Sequence, residues 1–406
     1  MSKRLIILCD GFGPPTYGPR MTQLCKHLAK SGWDITLFTE QILQGESYVV
    51  PNCTSHSLPY YHGGKWRTKI QWALDKVFDC KERKFYRFVR KHVQANTFDI
   101  MLCSSFNDFP LETAARIAKE KNLPLVVDLR DIAEQWGTES YMVHHLGMGQ
   151  IGKWITARYQ QRMIKKRNNT LRCAKVVTTI SPWHCHILKQ YNPDTRLIYN
   201  GYDPDTFYKT THAVPAFIIS YTGRIYDLSF RNPTPLLQAV AELYHRQQID
   251  KTRFQVVFHV ESNLCQPLHD IAQRLGISEI CRIDGYVPSH TAQELLRNSA
   301  ISVVLLQQET AQGSHGIMTT KFFEALGCEK PVICTPSDNG CLADTIRETN
   351  AGIASGDVEE IKAFIMDKYH EWETNGYTHQ AVRNKELFSR EYQAHQFENL
   401  FLQCLQ

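Results

Sequence analysis

The feature that most constrains this chain is an alternation of short, continuously apolar runs with helical stretches, sustained along most of its length. Leu5 to Cys9 is one run, Met21 to Lys30 carries apolar residues at helical spacing and ends in Ser31-Gly32, and Asp34 to Phe38 is a second run. Short continuous runs of this kind fit strands buried on both faces, and a helix between two of them predicts a parallel sheet. Asp99 to Cys103, Leu125 to Asp128, Val176 to Thr179 and Arg196 to Tyr199 continue the series, with helices such as Leu111 to Glu120 between them. A second series runs through Phe217 to Tyr221, Phe254 to Val260, Cys281 to Asp284, Ile301 to Leu306 and Val332 to Cys334. Asp203 to Pro215, holding two prolines and several polar residues, reads as a hinge. The expected fold is α/β, two doubly wound Rossmann-like domains facing each other across a cleft. Residues 1–195 form the first domain, 196–385 the second, and 386–406 a C-terminal helix returning toward the first.

Length and composition admit two cores: 406 residues, 43% hydrophobic and 21% charged. The thirteen cysteines are scattered and form no C-x-x-C pair, so neither a disulfide framework nor a thiolate zinc site is expected. The apolar run after Met1-Ser2-Lys3-Arg4 is too short for a signal sequence and breaks at Asp10 and Gly11, and no run is long enough to span a bilayer. The expectation is a cytoplasmic protein.

In open parallel sheets ligands bind beyond the carboxyl ends of the strands, and the candidate residues lie at such ends. Gly223 and Arg224 follow the run Phe217 to Tyr221: a glycine lets backbone approach a ligand, and a guanidinium offers a rigid fork to phosphate oxygens. Arg231 stands just before a helix N-terminus. After Ile301 to Leu306 comes Gly313-Ser314-His315-Gly316, then a short helix near Thr320 to Gly327 with Lys321 in its first turn. A cation there opposes the helix dipole unless an anion lies nearby. Glu324 is one position too late to close a capping box with Thr320. The set suits a nucleotide diphosphate, with Thr319, Thr320, Lys321 and the arginines on phosphate and Glu324 on the ribose. Asp203-Pro-Asp205 mimics a metal-binding Asp-x-Asp but belongs to the segment that starts the hinge, His184-x-His186 is too isolated for a zinc site, and no metal or cofactor is expected.

Asn200-Gly201-Tyr202-Asp203 with Phe207, Gly223-Arg224 with Arg231, and Lys321-Phe-Phe-Glu324 running on to Lys330-Pro331-Val332-Ile333 together resemble the GT-B glycosyltransferases of family four. Pro14-Pro15 with Gly18, the helix ending at Gly32, and Ser181 after Val177 to Ile180 match in the same order. The resemblance implies a donor site containing Gly18, Asn200, Gly223, Arg224, Thr319, Thr320, Lys321 and Glu324, and retention of anomeric configuration. Gly316 stands where many members carry a first glutamate, as in bacterial surface-polysaccharide transferases, so the Gly313 to Met318 loop has to contact the sugar through backbone groups or His315. Arg130 replaces an active-site histidine, and Asp128, Arg130, Asp131 and Trp136 resemble a variant found in amino-sugar and deoxysugar transferases. Arg224, Arg231, Lys321, Arg130 and Asp131 are the expected catalytic set, with closure about the hinge excluding water. An alternative pairing of Arg130 with Asp131 that merely fixes the loop stays open.

The function this implies is transfer of a sugar from a nucleotide diphosphate donor to a glycan or lipid-linked acceptor. A nucleotide-sugar epimerase of the same fold and a non-catalytic nucleotide-binding protein are the alternatives. A nicotinamide oxidoreductase would rest only on Gly11, Gly13, Gly18 and Glu40. Basic residues dominate Lys65 to Val93, where Trp66, Ile70, Ala73 and Val77 fall at helical spacing, and Gly152 to Lys175, with Trp154, Ile155 and Met163. These segments read either as solvated faces over core stripes or as attachment to an anionic membrane, on the cytoplasmic face of the inner membrane. No nucleic-acid partner is expected.

Overall fold

The computed structural model describes residues 3–12, 19–42, 50–60, 63–93, 97–106, 108–136, 149–310 and 313–406. Gly13, Pro14, Pro15 and Gly18 lie outside the described residues, as do the side chains of Ala73, Val77 and Trp136. Two units emerge, residues 1–200 with 390–406, and residues 201–389.

The first unit carries seven strands, β1 (Arg4–Phe12), β2 (Asp34–Ile42), β3 (Cys53–Ser57), β4 (Ile100–Ser105), β5 (Leu125–Leu129), β6 (Val176–Thr179) and β7 (Thr195–Leu197). Their order is β3-β2-β1-β4-β5-β6-β7 and the pairings are all parallel. The second carries β8 (Phe217–Thr222), β9 (Phe254–His259), β10 (Cys281–Asp284), β11 (Ile301–Leu306), β12 (Val332–Pro336) and β13 (Gly352–Ala354), ordered β10-β9-β8-β11-β12-β13. Both orders reverse beside the first strand of their unit, between β1 and β4 and between β8 and β11. That reversal opens a crevice at the carboxyl ends.

The apolar runs are buried on both faces because helices cover both. Along β1, Leu5, Ile7 and Cys9 join one core with Leu24, Leu28 and Trp33, while Ile6 and Leu8 join the other with Phe85, Val89 and Met101. The helix Arg390–Leu405 belongs to the first of these cores through Ala394, Phe397, Leu400, Phe401 and Cys404, and Phe401 meets Trp33 edge to face at 5.8 Å. Among the described residues no helix is long and apolar enough to cross a membrane.

Two boundaries differ from expectation. Thr195 to Leu197 pair with β6, so residues 196–200 stay with the first unit. The segment expected to hinge is fastened to the second unit. Phe207 N donates to Asp203 O at 2.8 Å, Thr210 Oγ1 to Arg297 O at 2.9 Å, and Val214 N to Gly376 O at 2.8 Å. Tyr202 packs on Gly327 so closely that a Cβ there would stand 2.4 Å from its ring.

Candidate active site

At the end of β8 the chain turns at Gly223 with φ +130°, and Gly223 N donates to His259 O at 2.8 Å. A Cβ on Gly223 would stand 2.4 Å from Lys321 Nζ and 2.6 Å from its Cε. The backbone angle therefore favours glycine, and any side chain there would displace the lysine running past it. Lys321 is the second residue of the helix Thr320–Gly327, whose N-cap Thr319 accepts from Lys321 N at 3.4 Å. The cap lies one residue earlier than the sequence argument placed it, which makes Phe322 the capping-box position and leaves Glu324 beyond it.

Lys321 makes no ion pair among the described residues. Burial is the largest cause of a pKa below the ordinary lysine value; Glu324 opposes it, Arg231 adds to it and Glu261 opposes it. The guanidinium carbons of Arg224 and Arg231 lie 5.3 Å and 5.0 Å from the Tyr226 ring centroid. Arg231 Nη1 donates to Arg224 O, which also accepts from Tyr221 Oη at 2.7 Å, while Arg231 Nε is buried without a hydrogen-bond partner. Glu261 accepts from Ile225 N at 2.8 Å and Tyr226 N at 2.6 Å, which holds Tyr226 at φ 67°, an uncommon angle for a bulky residue. Burial pushes the Glu261 carboxyl up, but the backbone donors and Arg224 outweigh it and keep the pKa below the ordinary value. Glu261 is thus ionised and occupied by the backbone. Among the described residues Arg224, Arg231 and Lys321 have no carboxylate partner at ion-pair distance, an arrangement that suits a polyvalent anion.

In the loop after β11, Glu309 accepts from Gly316 N at 2.8 Å and meets His315 Nδ1 at 3.1 Å, so this amide and this ring nitrogen are held by Glu309. Asn339 fastens Glu309 in turn, its Oδ1 accepting from Glu309 N and its Nδ2 donating to Glu309 O, both at 3.0 Å. A Cβ on the neighbouring Gly340 would strike Glu309 Oε1 at 2.3 Å.

In the first unit, Arg130 follows β5 and pairs with Asp10 at the end of β1, while Asp10 also accepts from Phe106 N at 3.0 Å. Arg130 therefore does not fix the loop by pairing with Asp131. Asp131 accepts from Gln135 Nε2 at 2.7 Å, and burial pushes its pKa up to about 6 against the opposing pull of Gln135 and Arg130. Asp128 is structural. Fully buried, it accepts from Arg20 Nη2 at 2.8 Å, Thr178 Oγ1 at 2.7 Å and Ser104 Oγ at 2.9 Å, and Arg20 keeps its pKa below the ordinary value despite the burial. Asn200 lines a small cavity with Arg20, Arg390 and Phe397 in the first unit. Ser181 is the N-cap of Pro182–Leu188. Glu40 is ion-paired with Lys81, which spends the acidic residue that a nicotinamide reading needs.

Residues 216–369 match the family model described as glycosyl transferases group 1, and residues 16–201 the glycosyl transferase 4-like domain. The chain belongs to the GT-B glycosyltransferases of the family-four-like kind. No curated protein matches its sequence significantly. A sucrose-phosphate synthase from Thermosynechococcus elongatus superposes with a TM-score of 0.67 at 16% identity, covering 99% of each chain. HepE from Anabaena, solved in complex with UDP and glucose, gives 0.62 at 14% identity over 98% of this chain and 99% of that one. WaaG, a glycosyltransferase involved in lipopolysaccharide biosynthesis, gives 0.60 at 13% identity over 96% and 98%. Identities this low show a shared fold.

Sequence reasoning missed Glu261, Tyr226 and Glu309. Glu261 lies just past the carboxyl end of β9, where the strand-end rule could have found it. Nothing local distinguishes Tyr226 or Glu309, whose partners are brought to them by the fold.

Proposed function

We propose that the protein transfers a sugar from a nucleoside diphosphate sugar to a hydroxyl of a glycan or lipid-linked acceptor, with retention and without a metal, in bacterial surface-polysaccharide assembly. The observation that carries this reading is the grouping of Arg224, Arg231 and Lys321 at the carboxyl end of β8, none of them neutralised by a carboxylate at ion-pair distance among the described residues. The difficult event is departure of the diphosphate from an oxocarbenium-like carbon, and fixed cations aimed at the leaving group stabilise the charge that develops there. Three such cations supply the neutralisation a divalent ion would otherwise provide. Glu324 takes the ribose hydroxyls. In the first unit Asp10 holds Arg130 in place, and Arg130 and Asp131 handle the acceptor. The bound UDP and glucose of HepE and the lipopolysaccharide role of WaaG support the donor class and the acceptor setting. A lipid-linked acceptor places the enzyme on an anionic membrane surface.

A thermal-shift screen of nucleoside diphosphates and their sugars tests the donor site, because ligand in large excess over its Kd raises the unfolding temperature. Donor consumption that requires an added acceptor supports transfer. Conversion of the donor with no acceptor present points to an epimerase, and binding without turnover to a non-catalytic protein.

A further inference from the structure

The basic segments of the first unit are not equivalent. In the helix Cys80–Val93 the apolar residues Phe85, Tyr86, Val89 and Val93 are buried, as in any surface helix over a core. In Lys65–Phe78 the pattern is reversed. Trp66 is 80% exposed, Ile70 58%, Leu74 44% and Phe78 53%. These four follow one another at intervals of four residues, so at 3.6 residues per turn they sweep about 120° of the helix surface. Thr68, Gln71, Trp72 and Asp75, the partly buried positions, take the opposite side. Lys65 and Lys69 flank the apolar stripe on one side and Arg67 on the other, and Lys69 Nζ lies 5.5 Å from the Trp66 ring centroid.

A second helix extends this surface. Gly149–Cys173 exposes Trp154 at 64% and Ile155 at 40%, with the Arg158 guanidinium 5.9 Å from the Trp154 ring centroid. Further along it, Arg162 and Lys166 both pair with Asp79, the residue after Phe78. Tyr159 and Lys166 line one cavity with Asp75 and Asp79, so this helix runs back beside Lys65–Phe78, and Ile155 stands about one turn before Tyr159 along it. Six of the nine exposed large apolar residues described in this unit fall on these two helices, Phe106, Tyr392 and Leu405 being the others.

We propose that the helix Lys65–Phe78 inserts its outer face, Trp66, Ile70, Leu74 and Phe78, into the acyl boundary of an anionic bilayer, with Trp154 and Ile155 beside it. The inference deepens the membrane attachment proposed above and rests on it. Apolar side chains with two indoles, edged by lysine and arginine, fit the headgroup boundary of such a bilayer, where aromatic rings settle and basic side chains reach the phosphates. Arg162, Lys166 and Arg167 contribute little, because carboxylates already hold them. Attachment is therefore apolar insertion guided by charge, and salt weakens it without abolishing it.

Flotation of the full chain with phosphatidylglycerol–phosphatidylcholine vesicles, and with phosphatidylcholine alone, at low and high salt tests this. The expected parent binds the anionic vesicles, keeps part of that binding at high salt, and shows tryptophan emission quenched by brominated acyl chains, less so in Trp66→Phe. A variant carrying Trp66→Ser, Ile70→Ser, Leu74→Ser and Phe78→Ser keeps every charge yet should bind at least about tenfold more weakly. Lys65→Gln with Lys69→Gln should lose about fivefold per residue at low salt. Equal binding by the serine variant overturns the proposal, as does parent binding that high salt removes completely without any quenching. A concentration-dependent dimer that the serine changes dissolve, with no vesicle binding, also overturns it in favour of a second copy of the chain. Thermal shift with nucleoside diphosphates runs in parallel. An unchanged response in the serine variant shows that fold and donor site are intact, whereas no response in the parent defeats the donor reading and leaves the vesicle result to stand alone.

Discussion

Gly223→Ala addresses the proposed donor site through a single methyl group. At φ +130° an alanine is strained whatever the space around it, which costs on the order of 1–2 kcal/mol of stability and a few degrees of Tm. The clash is a separate matter. The atoms 2.4 Å and 2.6 Å from the new Cβ are the tip of a flexible lysine, which can swing away at small cost to folding. The consequence is displacement of the ammonium from the site. Loss of one charge-assisted contact to a diphosphate is worth roughly 1.5–3 kcal/mol, or about 10- to 150-fold in Kd. Titration calorimetry should then compare the parent, Gly223→Ala, Lys321→Ala and the double variant against the diphosphate selected by thermal shift. If the alanine acts through Lys321, the double variant binds about as weakly as Lys321→Ala alone, with a coupling energy of about 1 kcal/mol or more. Strict additivity would refute the reasoning, since the methyl would then disturb binding by a route that bypasses the lysine.

Arg224→Ala and Lys321→Ala should each weaken diphosphate binding by a similar factor and leave binding of the free nucleoside unchanged, measured by the same calorimetry. Glu324→Gln should lower affinity for ribonucleotide donors without unfolding the protein; equal affinity of the parent for ribo and 2′,3′-dideoxy diphosphates would remove the role given to Glu324. Asp131→Asn should stabilise the protein near neutral pH. The folded carboxyl titrates at about 6, above its unfolded value, so the parent loses stability as pH rises from about 4 through 6, by at most about 3 kcal/mol; the asparagine variant has no such loss, and urea unfolding at pH 4 and pH 7 should show the gap opening. Arg20→Ala should destabilise the first unit by about 3–5 kcal/mol by leaving Asp128 buried and unpaired, again read by urea unfolding.

The strands of both sheets were legible because parallel strands buried on both faces leave uninterrupted apolar runs. Cys53–Ser57 and Gly352–Ala354 escaped notice for the complementary reason, being edge strands too polar or too short to leave such a run. Two cations of the proposed donor site were legible from local signals: Lys321 opposes a helix dipole, and Arg224 follows the glycine that ends a strand. Asp128 and Asp131 show the limit. They are three residues apart and chemically identical, yet one is locked to Arg20 and held ionised while the other is buried against Gln135 and pushed toward neutrality. Only the three-dimensional neighbourhood separates them. The stripe of Trp66, Ile70, Leu74 and Phe78 marks the same limit, since periodicity reports that a helix has an apolar face and is silent about which way the face turns.

The helix Arg390–Leu405 has a consequence for synthesis. It supplies Phe397, Leu400 and Phe401 to a core whose other members come from the first two hundred residues, and the whole second unit is encoded in between. A ribosome adding about 5–20 residues per second needs on the order of 10–40 s to traverse the 189 residues from 201 to 389. Through that interval Leu24, Leu28 and Trp33 are made but lack the helix that covers them, and at its end the second unit has all the chain it needs while the first still waits for residues 390–406. The order of completion is thus inverted relative to the order of translation: the second unit can close first, and the nascent first sheet is the segment for which a chaperone that binds exposed apolar surface has the longest opportunity.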